Sequence, residues 1–266
     1  VLYSRIVITA TADASPAVRP REVAVRDHED AFGHMLLDFH KGRRHGSEIV
    51  ERDDGYFDAA GGPEAYFADY EDWGPHEKRA MRYADGRILD IGCGAARHAL
   101  YLQKKGLSVL GIDVSPLAVR TARARGLKKA SVLSVTRVGR GLGVFDTVLM
   151  LGNNFGLFGS ERRARWLLRR FAGAASDGAT IIAESNDVYR TKIPAHLEYH
   201  ERNRRRGRMP GQVRIRIRYQ TYVTPWFDYL LVSPSEMEGV LEGTGWSIER
   251  ILKSRGPAYV AIIRKG

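Results

Sequence analysis

The stretch Ile88-Leu89-Asp90-Ile91-Gly92-Cys93-Gly94-Ala95-Ala96-Arg97 decides the fold. A short apolar run breaks at two glycines one residue apart, and a helical pattern begins at Arg97. A glycine turn between a strand and a helix lets the backbone approach a ligand closely, because glycine has no Cβ and accepts positive φ. The same turn also serves as an ordinary tight connection, and nicotinamide and flavin sites use glycine fingerprints as well. Asp90 narrows the choice. A carboxylate two residues before the first glycine repels a pyrophosphate but can order a cationic amino-acid group.

Downstream, short apolar runs alternate with helical stretches, the signature of βαβ units and a parallel sheet. Strands are predicted at 88–91, 108–112, 131–135, 145–151 and 180–183, and helices at 97–105, 116–125 and 162–175. Asp113 closes the second strand, 19 residues after Gly94. There a carboxylate can accept hydrogen bonds from both hydroxyls of a ribose; it would also serve as a plain helix N-terminal acid. The chain then shows a helix at 235–241 and strands at 246–252 and 258–263 around the turn Arg255-Gly256-Pro257. This hairpin would add one antiparallel strand to an otherwise parallel sheet.

Upstream, Phe32, Met35, Leu36 and Phe39 recur at helical spacing within 28–40, and a second helix is expected at 63–83 after Gly61-Gly62-Pro63. The first residues are small, polar and punctuated by proline, which suits a loose arm. Some 45 residues separate the fifth strand from the late helix, too many for a plain connection. Within them Val213, Ile215, Ile217 and Tyr219 alternate with Arg214, Arg216 and Arg218, a strand with one buried and one cationic face. A second strand at 226–232 could pair with it. The expected division is an arm at 1–25, a helical cap at 26–86, a core at 87–187 and 233–266, and an insertion or lid at 188–232.

Together Asp90-Ile91-Gly92-Cys93-Gly94-Ala95-Ala96, Gly111-Ile112-Asp113-Val114-Ser115-Pro116-Leu117, the strand from Phe145 and the turn Asp177-Gly178 resemble the class I, Rossmann-like S-adenosylmethionine (SAM)-dependent methyltransferases. The resemblance covers about 87–184 and the final hairpin, with Ala96 where the family commonly has a third glycine. It implies a doubly wound α/β fold, SAM as cofactor and S-adenosyl-L-homocysteine as product. It also implies a cofactor site of Asp90, Gly92, Cys93, Gly94, Asp113, Val114, Ser134, Val135, Leu151 and Asn153. Cys93 is the single cysteine, so no internal disulfide forms, and a thiol in the cofactor turn is not expected to attack a substrate.

Methyl transfer is an in-line displacement that needs alignment, exclusion of water and sometimes removal of a proton, with no metal required. The catalytic candidates are Tyr66, Asn153 and His98. Tyr66 and Tyr70 would share one face of a continuous helix, either as a cage for the sulfonium or as core packing. Asn153 and Asn154 stand between glycines, where they serve either the turn or the reacting group, and the prolines of base amino-methylases are missing from this position. Asn154, Tyr70, Asp187 and Tyr189 are the candidates for the substrate, and Glu184 and Asn186 lie beside the last two in the sequence.

With 266 residues and 44% hydrophobic content the chain can bury one sizeable core. No apolar run reaches the ~18 residues of a membrane span, so the expectation is a cytoplasmic protein without membrane contact. The 42 Lys and Arg against 31 Asp and Glu give +11, with much of the excess in 161–170 and 202–218. The leading reading is methylation of O or N on a small molecule. The alternatives are an RNA- or DNA-directed methyltransferase using the arginine-rich insertion, and a SAM-binding subunit without chemistry. A homo-oligomer could use the exposed ribbon.

Overall fold

The computed structural model describes residues 25–59 and 61–266. The expected loose arm falls outside them except for its last residue. Asp30 caps helix α1 (Ala31–His40) by accepting a hydrogen bond from the Gly33 amide at 3.1 Å. Strands β1 (Ile49–Arg52) and β2 (Phe57–Ala59) follow, neither of them expected from the charged stretch that contains them. The continuous helix expected over 63–83 is instead a series of short pieces. They are α2 (Glu64–Phe67), a 3₁₀ turn at Tyr70–Asp72, α3 (Pro75–Ala80) and a 3₁₀ turn at Met81–Tyr83. Extended backbone at Ala68 and the start Gly74-Pro75 break it, since proline suits the first turn of a helix but not its interior.

The core begins with β3 (Arg87–Ile91) and α4 (Arg97–Lys104), then β4 (Ser108–Asp113), α5 (Pro116–Ala124) and β5 (Ala130–Val132). Strand β5 is shorter than expected because Ser134 caps a 3₁₀ turn at Val135–Arg137. Next come β6 (Phe145–Met150), α6 (Glu161–Ala172) and β7 (Ala175–Asn186). Strand β7 extends well past the predicted 180–183 in both directions, because β12 pairs along it as far as Asn186 and β6 pairs with it at Ala175. The insertion holds α7 (Pro194–Arg205), β8 (Gln212–Tyr219), β9 (Tyr222–Val223) and β10 (Phe227–Leu230). Helix α8 (Pro234–Leu241) and strands β11 (Trp246–Lys253) and β12 (Ala258–Lys265) finish the described chain.

The main sheet has the order β11-β12-β7-β6-β3-β4-β5. Strands β3 to β7 run parallel and β12 is antiparallel to β7, so the expected doubly wound α/β architecture with an antiparallel strand is what forms. The strand order reverses between β3 and β6, and ligands of open α/β sheets bind at the carboxyl ends beside such a reversal. One apolar layer lies against α6 and α8, with Phe145, Phe155, Leu168, Phe171 and Tyr259 buried. The other lies against α4 and α5, with Ile88, Leu102, Val109, Val119 and Ile262.

A second sheet, ordered β10-β8-β1-β2, joins strands from both sides of the core in sequence. Residues Ile49 to Arg52 pair antiparallel with Arg218 to Ile215. Ile217 and Tyr219 from this sheet and Met35 and Leu36 from α1 pack with Ala95 and Ala118 of the core. Helix α1 is thereby held between the second sheet and the starts of α4 and α5.

Candidate active site

The chain leaves β3 through Gly92 (φ +70°) and Gly94 (φ +52°), and Ala96 caps α4 at φ +64°. Ala96 thus takes the left-handed conformation that a third glycine would adopt without strain. The turn hangs on β4: the Gly92 and Cys93 amides both donate to the Ile112 carbonyl, at 2.8 and 3.0 Å. Asn154 braces it from the other side, its amide nitrogen donating to the Ile91 and Gly92 carbonyls at 2.9 Å each. Asn154, expected beside the substrate, is therefore spent on the shape of the turn. Cys93 is buried with its thiol against Gly111, and burial together with Asp113 and Asp90 pushes the thiol's pKa up.

Asp90 and Asp113 end neighbouring strands and both are buried. Burial, and then the charge of Asp113, pushes the Asp90 carboxyl up to about 7. Its carboxylate accepts no hydrogen bond among the described residues. Asp113 is pushed up to about 6 by burial in spite of two backbone donors, Gly94 to Oδ2 at 3.0 Å and Ser115 to Oδ1 at 2.9 Å. Val114 beside it is half exposed, and Ser134 and Val135 sit just past the carboxyl end of β5.

Residues absent from the motif complete this end of the sheet. Asp30 Oδ2 accepts from the Ser115 hydroxyl at 2.9 Å and the Leu117 amide at 3.2 Å, which ties α1 to the strand end that carries Asp113. Phe32 and Leu36 of α1 lie over Gly94. Arg97 donates to Glu77, which also meets His98 Nε2 at 3.2 Å. His98 is buried, with its pKa lowered by burial, and stands edge-on to Trp73 at 4.6 Å. It is thus a packed residue of the cap joint, in contrast to the usual surface place of a histidine at a helix start.

At the end of β6, Leu151 is buried and Asn153 stands at φ +63° with its carbonyl accepting from the Tyr229 hydroxyl at 2.6 Å. Glu184 of β7 accepts from the Gly152 amide at 2.6 Å and faces His76 at 3.7 Å. Tyr66 donates to Glu48 at 2.7 Å, packs edge-on to Phe32 at 5.0 Å and lies within electrostatic reach of Tyr229 and Arg97. Tyr66, Asn153, Asp90 and Asp113 are accordingly brought to one end of the sheet.

Three expected substrate contacts go elsewhere. Tyr70 stacks on Tyr101 at 4.5 Å, because the helix break at Ala68 turns it away from Tyr66. Asp187 caps the turn at Tyr189, and the exposed Tyr189 ring reaches Glu236 of α8 at 2.8 Å. Glu48, Tyr229 and Asp30 carry no motif. Glu48 sits in a polar segment that shows no period, Asp30 lies at the start of the helix predicted over 28–40, where a cap can be read but not its distant partner, and Tyr229 lies on the second insertion strand, where alternation marks a face but not its neighbour.

The arginines of the insertion are largely paired. Arg216 and Arg218 both reach Glu51, whose carboxyl is held down to about 2 chiefly by the Arg216 hydrogen bond. Arg214 faces Asp228 at 3.5 Å, and Arg204 and Arg205 face Glu201 at 3.4 Å. Among the described residues no helix is long and apolar enough to cross a membrane.

Residues 88–178 match the model of a family described as a methyltransferase domain. A 2-heptyl-1-hydroxyquinolin-4(1H)-one methyltransferase of Mycobacteroides abscessus is 45% identical over 38 residues, which are 14% of this chain and 17% of that protein. The chain therefore spans about a sixth of the length of that curated relative. Among solved structures, a SAM-dependent methyltransferase from Bacteroides fragilis in complex with S-adenosyl-L-homocysteine superposes with a TM-score of 0.78 at 24% identity, over 91% of this chain and 98% of that one. A SAM-dependent methyltransferase from Methanosarcina mazei gives 0.54 at 21% identity, over 70% and 95%. The first likeness takes in most of the chain, and it is a likeness of fold.

Proposed function

We propose that this chain, whose residues 88–178 match a methyltransferase domain, is a class I, Rossmann-like SAM-dependent methyltransferase that moves a methyl group from SAM to an oxygen or nitrogen of a small molecule. The observation that carries the reading is the pair Asp90 and Asp113, two buried carboxylates on adjacent strand ends around a glycine turn. Two acids so placed oppose a pyrophosphate and suit a ligand with an ammonium and a diol. Asp90 has no hydrogen-bond donor among the described residues, and Asp113 is turned toward the backbone amides of Gly94 and Ser115 at the mouth of the turn. The residues therefore fit the cofactor: Asp90 for its ammonium, Asp113 for its ribose, Gly92 and Gly94 for close backbone approach, and Val114, Ser134 and Val135 for its base. When bound it supplies an activated methyl group on a sulfonium.

The chain's own part is placement and shielding. Helix α1 closes over Gly94 through Phe32 and Leu36, and Tyr66 and Tyr229 bring phenol rings to the end of β6. Such a lining excludes water and favours a developing or existing cation. Cap residues 26–86 and insertion 188–232 act, in this reading, as one cover, since β1 and β8 belong to one sheet. The pairing of Arg214, Arg216 and Arg218 with acids supports a small acceptor over a nucleic-acid backbone.

Calorimetry with S-adenosyl-L-homocysteine tests the proposal. Binding is expected in the wild type, with at least about a tenfold loss in Asp113→Ala. Unchanged affinity in that variant would remove the ribose assignment. A steep salt dependence of micromolar RNA or DNA binding would instead favour the nucleic-acid reading.

A further inference from the structure

Glu48 stands at the entry to β1 and is 1% exposed. Its Oε1 accepts from the Tyr66 hydroxyl at 2.7 Å, while Oε2 is buried and has no hydrogen-bond partner among the described residues. A carboxylate oxygen taken out of water without a donor costs stability, and native chains keep such groups where something is to be bound. A second orphan belongs to the same end of the sheet. Asn153 Oδ1 is buried without a partner among the described residues, on the residue whose carbonyl is fixed by Tyr229.

The two phenols nearby cannot fill these vacancies. Tyr66 spends its proton on Glu48 and Tyr229 spends its own on Asn153 O, and burial pushes both pKa values up, so neither acts as a base. Asp90 and Asp113 are the acids assigned to the cofactor's ammonium and ribose hydroxyls, and Glu48 is not among the residues assigned to it. Two lone-pair acceptors are left over, one of them ionisable, beside aromatic faces from Tyr66 and Phe32.

We propose that Glu48 Oε2 receives the proton-bearing nucleophile of the methyl acceptor, which is a hydroxyl or an amine attached to an apolar group. This inference rests on the methyltransferase reading and specifies its acceptor. In the transfer, a lone pair of the acceptor O or N forms the bond to the methyl carbon, and the carbon–sulfur bond breaks with its electron pair going to sulfur. The O–H or N–H proton passes to Glu48 Oε2, and the resulting neutral acid returns it to water. Tyr66 is the positioning residue, because its hydroxyl occupies Oε1 and leaves Oε2 to the acceptor. Asn153 Oδ1 offers a second acceptor for an amine's other hydrogen.

The test uses the full chain loaded with S-adenosyl-L-homocysteine and three probes of similar shape: p-cresol, benzylamine and 4-methylanisole. Their dissociation constants are measured by ligand-observed NMR. The wild type is expected to bind p-cresol or benzylamine about tenfold or more tighter than the donor-free 4-methylanisole, since a site built around a hydrogen bond rejects the analogue that lacks it. Whichever of the two binds tighter separates hydroxyl from amine. Glu48→Ala is expected to erase the preference while leaving S-adenosyl-L-homocysteine affinity within about twofold. Glu48→Gln keeps the side-chain shape and serves if the alanine variant does not fold; its preference for the donor probes should fall at least threefold. Equal binding of all three probes, no binding of any, or a preference that survives both substitutions overturns the role of Glu48. Failure of the wild type to bind S-adenosyl-L-homocysteine overturns the methyltransferase reading instead.

Discussion

Asp30 and Ser115 are separated by 85 positions and joined by a 2.9 Å hydrogen bond inside the protein. The same carboxylate caps α1 and receives the Leu117 amide, so one buried side chain fixes both the cap helix and the loop after Asp113. Asp30→Ala removes all three bonds. Denaturant titration should show a loss of about 2–3 kcal/mol, from a lost cap plus buried donors left unpaired. Calorimetry should show weaker cofactor binding, because the Ser115 amide that orients Asp113 would lose its anchor.

Little of this joint is legible in the sequence. The strand-turn-helix beginning at Ile88 and the acid at Asp113 are read from local patterns, because each depends on a few adjacent residues. Asp30, Glu48 and Tyr229 act across the fold, and nothing in their neighbourhood announces the partner. The same limit explains the broken helix at 63–83. Aromatic spacing suggested continuity, but Ala68 is extended and the Trp73 indole donates to the Ala68 carbonyl at 2.9 Å, so tertiary contacts override the period. The lid sheet was legible on its β8 side, where Val213 to Tyr219 alternate, and not in β1, where Ile49-Val50-Glu51-Arg52 is too short for a pattern.

Asp90 and Asp113 set a pH dependence. Both carboxyls lie above the ordinary value of about 4, so between about pH 4 and 7 these two groups bind more protons in the folded, ligand-free protein than in the unfolded chain. Their contribution to stability is therefore expected to fall as pH rises through that window, against the opposite contribution of His98, His196 and His200, whose pKa values burial lowers. Cofactor affinity should rise over the same range, since the ionised acids are the forms that accept its donors. Urea titrations at pH 5 and pH 8 with Asp90→Asn beside the wild type measure the first effect, and the variant should flatten the upper part of the slope. A pH slope left unchanged by Asp90→Asn would contradict the assignment.

Glu77 has the opposite sign. Burial alone would raise its carboxyl, but the His98 hydrogen bond and the Arg97 charge hold it down to about 2. The stability it supplies is present above its ordinary value and lost as pH falls toward 2. Glu77→Gln leaves Arg97 and His98 without their carboxylate and should cost about 2–4 kcal/mol. The His98 imidazole resonances, followed by NMR, should show an altered titration in that variant.

Gly92→Ala tests the brace on the glycine turn. An added Cβ would stand 2.6 Å from the Asn154 amide nitrogen, at a backbone φ of +70°. Strain and the displaced brace together should cost about 2 kcal/mol or more in thermal or chemical unfolding. Asn154→Ala removes the brace without the clash, and a smaller loss there would separate the two causes. Equal losses would mean that the brace alone matters.

The clasp of Glu51 with Arg216 and Arg218 sets the order of assembly during synthesis. Glu51 leaves the ribosome early, and its arginines follow 165 and 167 residues later. Between them runs nearly the whole parallel sheet, so β1 must wait, unpaired on its β8 side, until the sheet has formed and the insertion has emerged. Long-range pairings of this kind form late and slowly. A nascent chain halted before β8 would expose an uncovered strand edge over an open cofactor turn, a species suited to chaperone binding and unable to close on a methyl acceptor.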